Sequence, residues 1–131
     1  ELKKNNQISN IVFNHVSSLD ELKLKLQSTN ELPTMLDFYA DWCVACLEYE
    51  KHTFTNPEVI MSMKKFSLIK ADVTDNSIND KALLTAFNLF GPPAILFFDK
   101  KGRHLKQFDV IGFKNAEEFN MLLEKIIDYE H

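Results

Sequence analysis

The residue pattern of this chain points to an α/β protein: a central mixed β-sheet flanked by helices on both faces. Two observations carry that expectation. Along the first two thirds, short apolar runs alternate with stretches of helical period, as parallel strands joined by crossover helices do. In the last third, two strands separated by a tight turn precede one amphipathic helix, which adds antiparallel pairing to the same sheet. The 131 residues have the size of one domain and suffice to close a single core.

Residues 1–10 are polar and read as a flexible lead-in, leaving residues 11–131 as a single domain. Residues 11–16 read as a strand. Ser18-Leu19-Asp20-Glu21 has capping-box spacing, and Leu19, Leu22 and Leu26 follow at helical period. Residues 30–33 break that helix, and residues 34–40 suit a buried strand. Asp41-Trp42 turns the chain into a helix over residues 43–52. Asn56-Pro57 restarts a helix, with Val59, Ile60 and Met63 facing inward. Residues 67–73 form the next strand. Asn79 or Asp80 is the expected cap of a helix with Leu83, Ala86 and Phe87 inside, and Gly91-Pro92-Pro93 ends it. Ala94–Phe98 is a strand, Lys100-Lys101-Gly102 a turn, and residues 106–111 the last strand. Asn115 caps the final helix, Glu118 holds the capping-box position, and Phe119, Leu122, Leu123, Ile126 and Ile127 form its apolar stripe.

Composition excludes several classes. Apolar residues at 45% and charged residues at 26% are ordinary for a folded domain and argue against disorder. A formal net charge of -4 leaves no global electrostatic footprint for nucleic acid. The apolar run Ala94-Ile95-Leu96-Phe97-Phe98 is far too short to cross a bilayer, so no membrane insertion of this segment is expected. No apolar signal segment follows Glu1, as in a processed chain or an excised domain.

The chemistry concentrates at Trp42-Cys43-Val44-Ala45-Cys46, where a strand hands over to a helix. Two cysteines at this spacing can close a small disulfide ring. The first meets unpaired backbone N–H groups and the positive end of the helix dipole, and both favour thiolate. Thiolate is the attacking species in disulfide exchange, so Cys43 is the natural nucleophile and Cys46 the natural resolving thiol. Three plainer readings stand beside this one: a structural disulfide, a pair of inert core thiols, and half of a zinc site. The last needs two more ligands from His15, His52, His104 and His131, and no metal is expected.

Asp37 interrupts an otherwise apolar strand six residues before Cys43. A buried carboxylate there has a raised pKa and can exchange a proton with Cys46; a solvated strand edge is the alternative. Glu50 follows Cys46 by four residues, on the same helix face, where it either couples to Asp37 and the thiols or is simply solvated. Trp42 beside the motif is a candidate contact surface. Pro92 and Pro93 are either a rigid turn or part of the site. His52, Lys64-Lys65 and Lys100-Lys101 read as surface groups.

The element order, the Trp-Cys-x-x-Cys motif, the acid six residues upstream and the later Gly-x-Pro together resemble the thioredoxin superfamily over about residues 11–129. The string Asp37-Phe38-Tyr39-Ala40-Asp41-Trp42-Cys43-Val44-Ala45-Cys46, followed by Glu48, Glu50-Lys51, Thr53-Phe54 and Pro57, is similar to the C-terminal periplasmic domains of the DsbD family of thiol:disulfide interchange proteins. That resemblance implies a thioredoxin fold and a protein-disulfide reductase. Its only redox group is the Cys43–Cys46 pair, with no separate cofactor. It implies Asp37 and Glu50 as tuning acids, Trp42 and Pro92 beside the bound partner, and Pro93 as a cis-proline facing the disulfide. The implied partners are a transmembrane electron-transfer domain that supplies reducing equivalents and an N-terminal periplasmic domain that takes them onward, toward periplasmic isomerases and cytochrome c maturation. A monomeric, soluble periplasmic domain of an inner-membrane protein is the implied setting. Pro92 departs from the superfamily pattern, because it has no N–H to offer a partner strand. Two other functions remain open: a free-standing thioredoxin-like reductase and a redox-inert binding module of the same fold.

Overall fold

Five strands form one sheet: β1 (Asn14–Val16), β2 (Thr34–Tyr39), β3 (Ser67–Asp72), β4 (Ala94–Phe98) and β5 (Val110–Ile111). The computed structural model describes residues 11–28 and 31–131, so the lead-in expected over residues 1–10 lies outside the described residues. The strand order is β1-β3-β2-β4-β5. β1 and β2 run parallel to β3, while β4 is antiparallel to β2 and β5 to β4. The sheet is therefore mixed, as the change of pattern in the last third predicts. Its helices are α1 (Leu19–Gln27), α2 (Val44–Glu48), α3 (Pro57–Met63), α4 (Ile78–Ala86) and α5 (Ala116–Glu130).

The two-residue period of β2 sorts its side chains between two cores. Leu36 and Phe38 face a cluster with Ile69, Ala71, Leu96 and Phe98, closed by Leu22 of α1 and Leu83 and Leu84 of α4. Met35 faces the other side, with Leu68, Ile95 and Phe97, under Val59 and Met63 of α3 and Phe119, Leu123 and Ile126 of α5. Each fully buried Leu, Ile, Met or Phe contributes about 1.5–3 kcal/mol from burial, so both faces hold the register firmly. Asp37 shares the parity of Met35 and thus points into the second, otherwise apolar, core.

Several expected elements differ in detail. The strand over 11–16 is paired only at Asn14–Val16, where it meets Ile69 to Ala71; Phe13 instead packs on Phe54 at 6.0 Å. The strand over 106–111 is a 3₁₀ turn, Lys106–Phe108, followed by β5 alone. A 2.8 Å contact between His104 Nε2 and Asp109 Oδ1 draws the two ends of that turn together. The cap of α4 is Ser77, not Asn79 or Asp80. Its hydroxyl accepts from the Asp80 N–H at 3.0 Å, and the Asp80 carboxylate accepts from the Ser77 N–H at 3.0 Å. In α4, Leu84 rather than Ala86 turns inward. Ser18, Asn56 and Asn115 cap their helices as expected.

The helix expected over 43–52 is continuous but changes pitch. After α2 it becomes a π-turn, Tyr49–Thr53, closed by the Phe54 N–H donating to the Tyr49 carbonyl at 2.8 Å. Tertiary bonds hold the wider turn. The buried Tyr49 hydroxyl donates to the Gly112 carbonyl at 2.7 Å and accepts from the Lys114 N–H at 3.0 Å. Thr53 Oγ1 donates to the Lys114 carbonyl at 2.9 Å. Gly112 sits at φ +96°, which favours glycine at this bend. Burial pushes the Tyr49 phenol up to about 12, so it remains a donor at ordinary pH. Tyr49→Phe removes both phenol bonds and is expected to cost about 1–3 kcal/mol in urea unfolding, with an unchanged denaturant slope.

Candidate active site

The site is built at the C-terminal end of β2. After Tyr39 the chain turns, and the Cys43 N–H donates to the Ala40 carbonyl at 3.1 Å. Cys43 is the N-cap of α2, with extended backbone at φ −94° and ψ 106°. Its sulfur accepts a hydrogen bond from the Cys46 N–H at 3.1 Å. The two cysteines are joined by a disulfide across a Cα–Cα distance of 5.2 Å. Both are buried, and Cys46 Sγ lies 3.7 Å from the Phe38 carbonyl oxygen.

The turn before the disulfide is anchored to the loop after β3. The Asp41 N–H donates to Thr74 Oγ1 at 2.9 Å, and Trp42 Nε1 donates to the Thr74 carbonyl at 3.0 Å. The Tyr39 hydroxyl donates to Asp41 Oδ1 at 3.0 Å. Trp42 is thereby fixed through its ring nitrogen while 58% of it stays exposed. Val44 and Leu47 on α2 are exposed apolar residues as well. The sequence does not single out Thr74, whose role depends on a contact 32 residues away.

Pro92 and Pro93 reach the same end of the sheet. Ala94 pairs with Phe38 across β2 and β4, so the prolines just before it lie level with the residues after Phe38. The Pro92–Pro93 peptide bond is cis. The Gly112 N–H donates to the Pro93 carbonyl at 3.4 Å, tying this segment to the bend that Tyr49 holds.

Asp37 precedes the residue whose carbonyl touches Cys46 Sγ. It is 4% exposed, and no described residue donates a hydrogen bond to it. Burial drives its pKa up to about 8; Lys70 pulls it down and Glu50 pushes it up. The solvated-edge alternative is thereby excluded. Glu50, on the π-turn, is half-buried and ion-paired, its Oε2 accepting from Lys70 Nζ at 2.7 Å. Sequence spacing brings Glu50 to this cluster but does not reveal Lys70, the register partner of Asp37 on β3. His52 lies outside the cluster, on the surface beside Glu48 at 3.4 Å.

Among the described residues, no group of three or more His, Cys, Asp or Glu side chains is placed to hold a metal ion. Among them, no helix is long and apolar enough to cross a membrane. A helix-capping disulfide at the end of a central strand that itself carries a buried acid defines a dithiol–disulfide site of the thioredoxin class.

Comparison with known proteins agrees. A family model described as a thioredoxin-like domain matches residues 21–127. The thiol:disulfide interchange protein DsbD of Tatumella citrea is 43% identical over 114 residues, which cover 87% of this chain and 20% of that protein. The oxidised DsbD C-terminal domain of Neisseria meningitidis is 31% identical with a TM-score of 0.70, covering 88% of this chain and 98% of that one. A thioredoxin from Thermus thermophilus, 14% identical with a TM-score of 0.71 over 92% of this chain and 91% of its own, shares the fold. The chain belongs to the thioredoxin-like family, and within it to the C-terminal domains of DsbD. It spans about a fifth of the length of the DsbD relatives it matches.

Proposed function

We propose that this domain is a thiol–disulfide relay that receives reducing equivalents from a membrane electron-transfer domain and passes them to a periplasmic partner domain. The observation that carries this reading is the Cys43–Cys46 disulfide on the helix cap, with Asp37 buried one residue from its Phe38 contact. On this reading residues 11–131 are the working domain, acting as a soluble monomer in the periplasm, after a lead-in over residues 1–10.

In the reduced domain, the Cys43 thiolate attacks one sulfur of the partner disulfide. A Cys43–partner bond forms, and the other partner sulfur leaves as thiolate. Cys46 then gives its proton to the Asp37 carboxylate and attacks Cys43 Sγ. The internal disulfide closes, and the second partner sulfur leaves and takes up a proton. The partner gains two electrons, and the domain returns to the oxidised form. Two features support this division of labour. An N–H faces the Cys43 sulfur and favours its anion, whereas a carbonyl faces Cys46 and favours its S–H form. Glu50 adds negative charge behind the pair and couples to Asp37. Trp42 and the Pro92–Pro93 segment form the partner-facing rim.

The test is a trap. Cys46→Ala, expressed in the secreted compartment of a bacterial host, is expected to hold a DsbD-type N-terminal domain through a mixed disulfide at Cys43. A broad set of unrelated secreted proteins would instead indicate a general reductase. A folded variant with Cys43 free and no adduct would indicate an inert binding module.

A further inference from the structure

Among the described residues, Phe90 is the most exposed large apolar side chain, at 107%, and the fold fixes it in that position. Helix α4 ends in a Schellman turn. Asn88, at φ +58°, occupies the left-handed region, which asparagine tolerates better than most residues. Its N–H donates to the Thr85 carbonyl at 3.0 Å, and the Leu89 N–H donates to the Leu84 carbonyl at 2.9 Å. Phe87 and Leu89 pack against the first core, which holds the buried Leu84. The next residue, Phe90, is turned outward immediately before Gly91-Pro92-Pro93. Its ring gains nothing from folding, so its burial is left for a partner to supply.

The neighbouring backbone offers a partner strand little. Pro92 and Pro93 have no N–H, and the Pro93 carbonyl already accepts from the Gly112 N–H at 3.4 Å. A ladder of alternating donors and acceptors cannot run along this segment. Recognition here falls to side chains. Those at the same end of the sheet are apolar and exposed: Trp42 and Val44 flank the disulfide, Ile111 is the register partner of Ala94, and Phe113 follows it. Single exposed apolar residues are ordinary, but a row of them around a disulfide marks a docking surface. Phe90 extends that row beyond Pro92 and Pro93, which the relay reading already places against the partner.

We propose that Phe90 is a specificity-determining residue: an aromatic anchor that inserts into an apolar hollow beside the disulfide of the partner domain, in place of the strand pairing that Pro92 and Pro93 exclude. The proposal deepens the relay reading and rests on it. The role of Phe90 lies in docking, ahead of exchange. It raises the share of encounters that bring the partner disulfide to Cys43, and it discriminates between a domain with such a hollow and one without.

The experiment uses the reduced 131-residue chain with two disulfides. One is the oxidised N-terminal domain of a DsbD-type protein, followed by acid quench and thiol alkylation. The other is the aromatic disulfide dithiobis-nitrobenzoate, which has no domain to dock. Stopped-flow absorbance separates its first nitrothiobenzoate, released by Cys43, from the second, released by Cys46. Phe90→Ser is expected to lower the second-order rate with the domain about tenfold to thirtyfold, while the rate at saturating domain is kept. Both nitrothiobenzoate releases and the urea midpoint should stay at parent values. Phe90→Leu should fall between, and Phe90→Tyr should restore most of the rate. If Phe90→Ser reacts with the domain as fast as the parent does, the proposal is overturned. Equal losses with the domain and with dithiobis-nitrobenzoate would overturn it too, because the substitution would then act on the disulfide site itself. If sedimentation shows the parent as a dimer and Phe90→Ser as a monomer, the ring serves a second copy of this chain, and the proposal fails. If the parent reacts with dithiobis-nitrobenzoate but leaves the domain oxidised, the relay reading fails, and this proposal fails with it.

Discussion

Asp37→Asn is expected to stabilise the chain and to cripple the second half of its exchange reaction. The stability effect follows from proton linkage. The Asp37 carboxyl titrates near 8 in the fold, against an ordinary value of 3.8. Below pH 4 the folded and unfolded chains both hold the proton, and the group is neutral in the balance. Between pH 4 and 8 the unfolded chain releases it and the folded chain keeps it, so folding weakens by up to about 1.4 kcal/mol per pH unit. Above pH 8 the cost is constant. Asparagine has no proton to release, so its advantage should grow from pH 4 to 8 and then level off, with a linkage ceiling of about 5–6 kcal/mol. Urea midpoints measured at pH 5 and pH 8 check this; an advantage that is the same at both would sink the linkage argument. In the exchange reaction, the same substitution removes the base for Cys46. Loss of a positioned base typically costs about 10²-fold or more. The second nitrothiobenzoate release should slow by that order at pH 7, with the first far less affected. Slowing confined to the first release would show that Asp37 serves Cys43 instead.

That a stabilising substitution should impair the reaction explains why the carboxylate stands out in the sequence alone. A lone acid within Met35-Leu36-Asp37-Phe38 contradicts the burial that the rest of the run demands, and such conflicts gather at working sites. The cysteine pair is legible for a different reason: its chemistry lies within four consecutive residues, and a strand-to-helix junction is a local pattern. The sheet is legible because periodicity and turn residues agree along most of the chain. What escapes a linear reading depends on register. Lys70 meets Glu50 and Asp37 only once β3 is laid beside β2, and nothing in the local run Leu68-Ile69-Lys70-Ala71 says which acid it faces.

The π-turn escapes for the same reason. Residues 43–52 have an unbroken helical appearance, and the wider turn is selected by bonds from Tyr49 and Thr53 to Gly112 and Lys114. Those bonds also tie the turn that carries Glu50 to the bend whose Gly112 N–H meets Pro93. The two motifs that look separate in the sequence, Cys43-x-x-Cys46 and Pro92-Pro93, are thus joined twice, by strand pairing and through Tyr49. The last strand is shorter than its pattern suggests because alternation over 106–111 is a weak signal against a specific contact, that of His104 with Asp109.

The largest effect is expected at Cys43, and it should be strongly asymmetric. Although the disulfide joins two buried sulfurs, their surroundings differ in sign. The Cys43 sulfur receives an N–H at the start of α2, which lowers the cost of its anion. The Cys46 sulfur faces the Phe38 carbonyl, which an S–H can satisfy and a thiolate cannot. Cys43→Ser should therefore abolish exchange with a protein or aromatic disulfide, a loss of about three orders of magnitude or more, because a hydroxyl does not ionise here and the remaining thiol is in its less reactive setting. Cys46→Ser should keep a first attack close to the parent rate and then stop, leaving one adduct per chain by intact mass spectrometry. The comparison also separates the relay from an inert module. An inert pair predicts that the two variants behave alike and that neither accumulates an adduct, whereas a nucleophile and a resolving thiol predict loss in one and arrest in the other. Equal rates of first attack in the two variants would overturn the assignment of Cys43, because the opposed dipoles at the two sulfurs would then have no kinetic consequence.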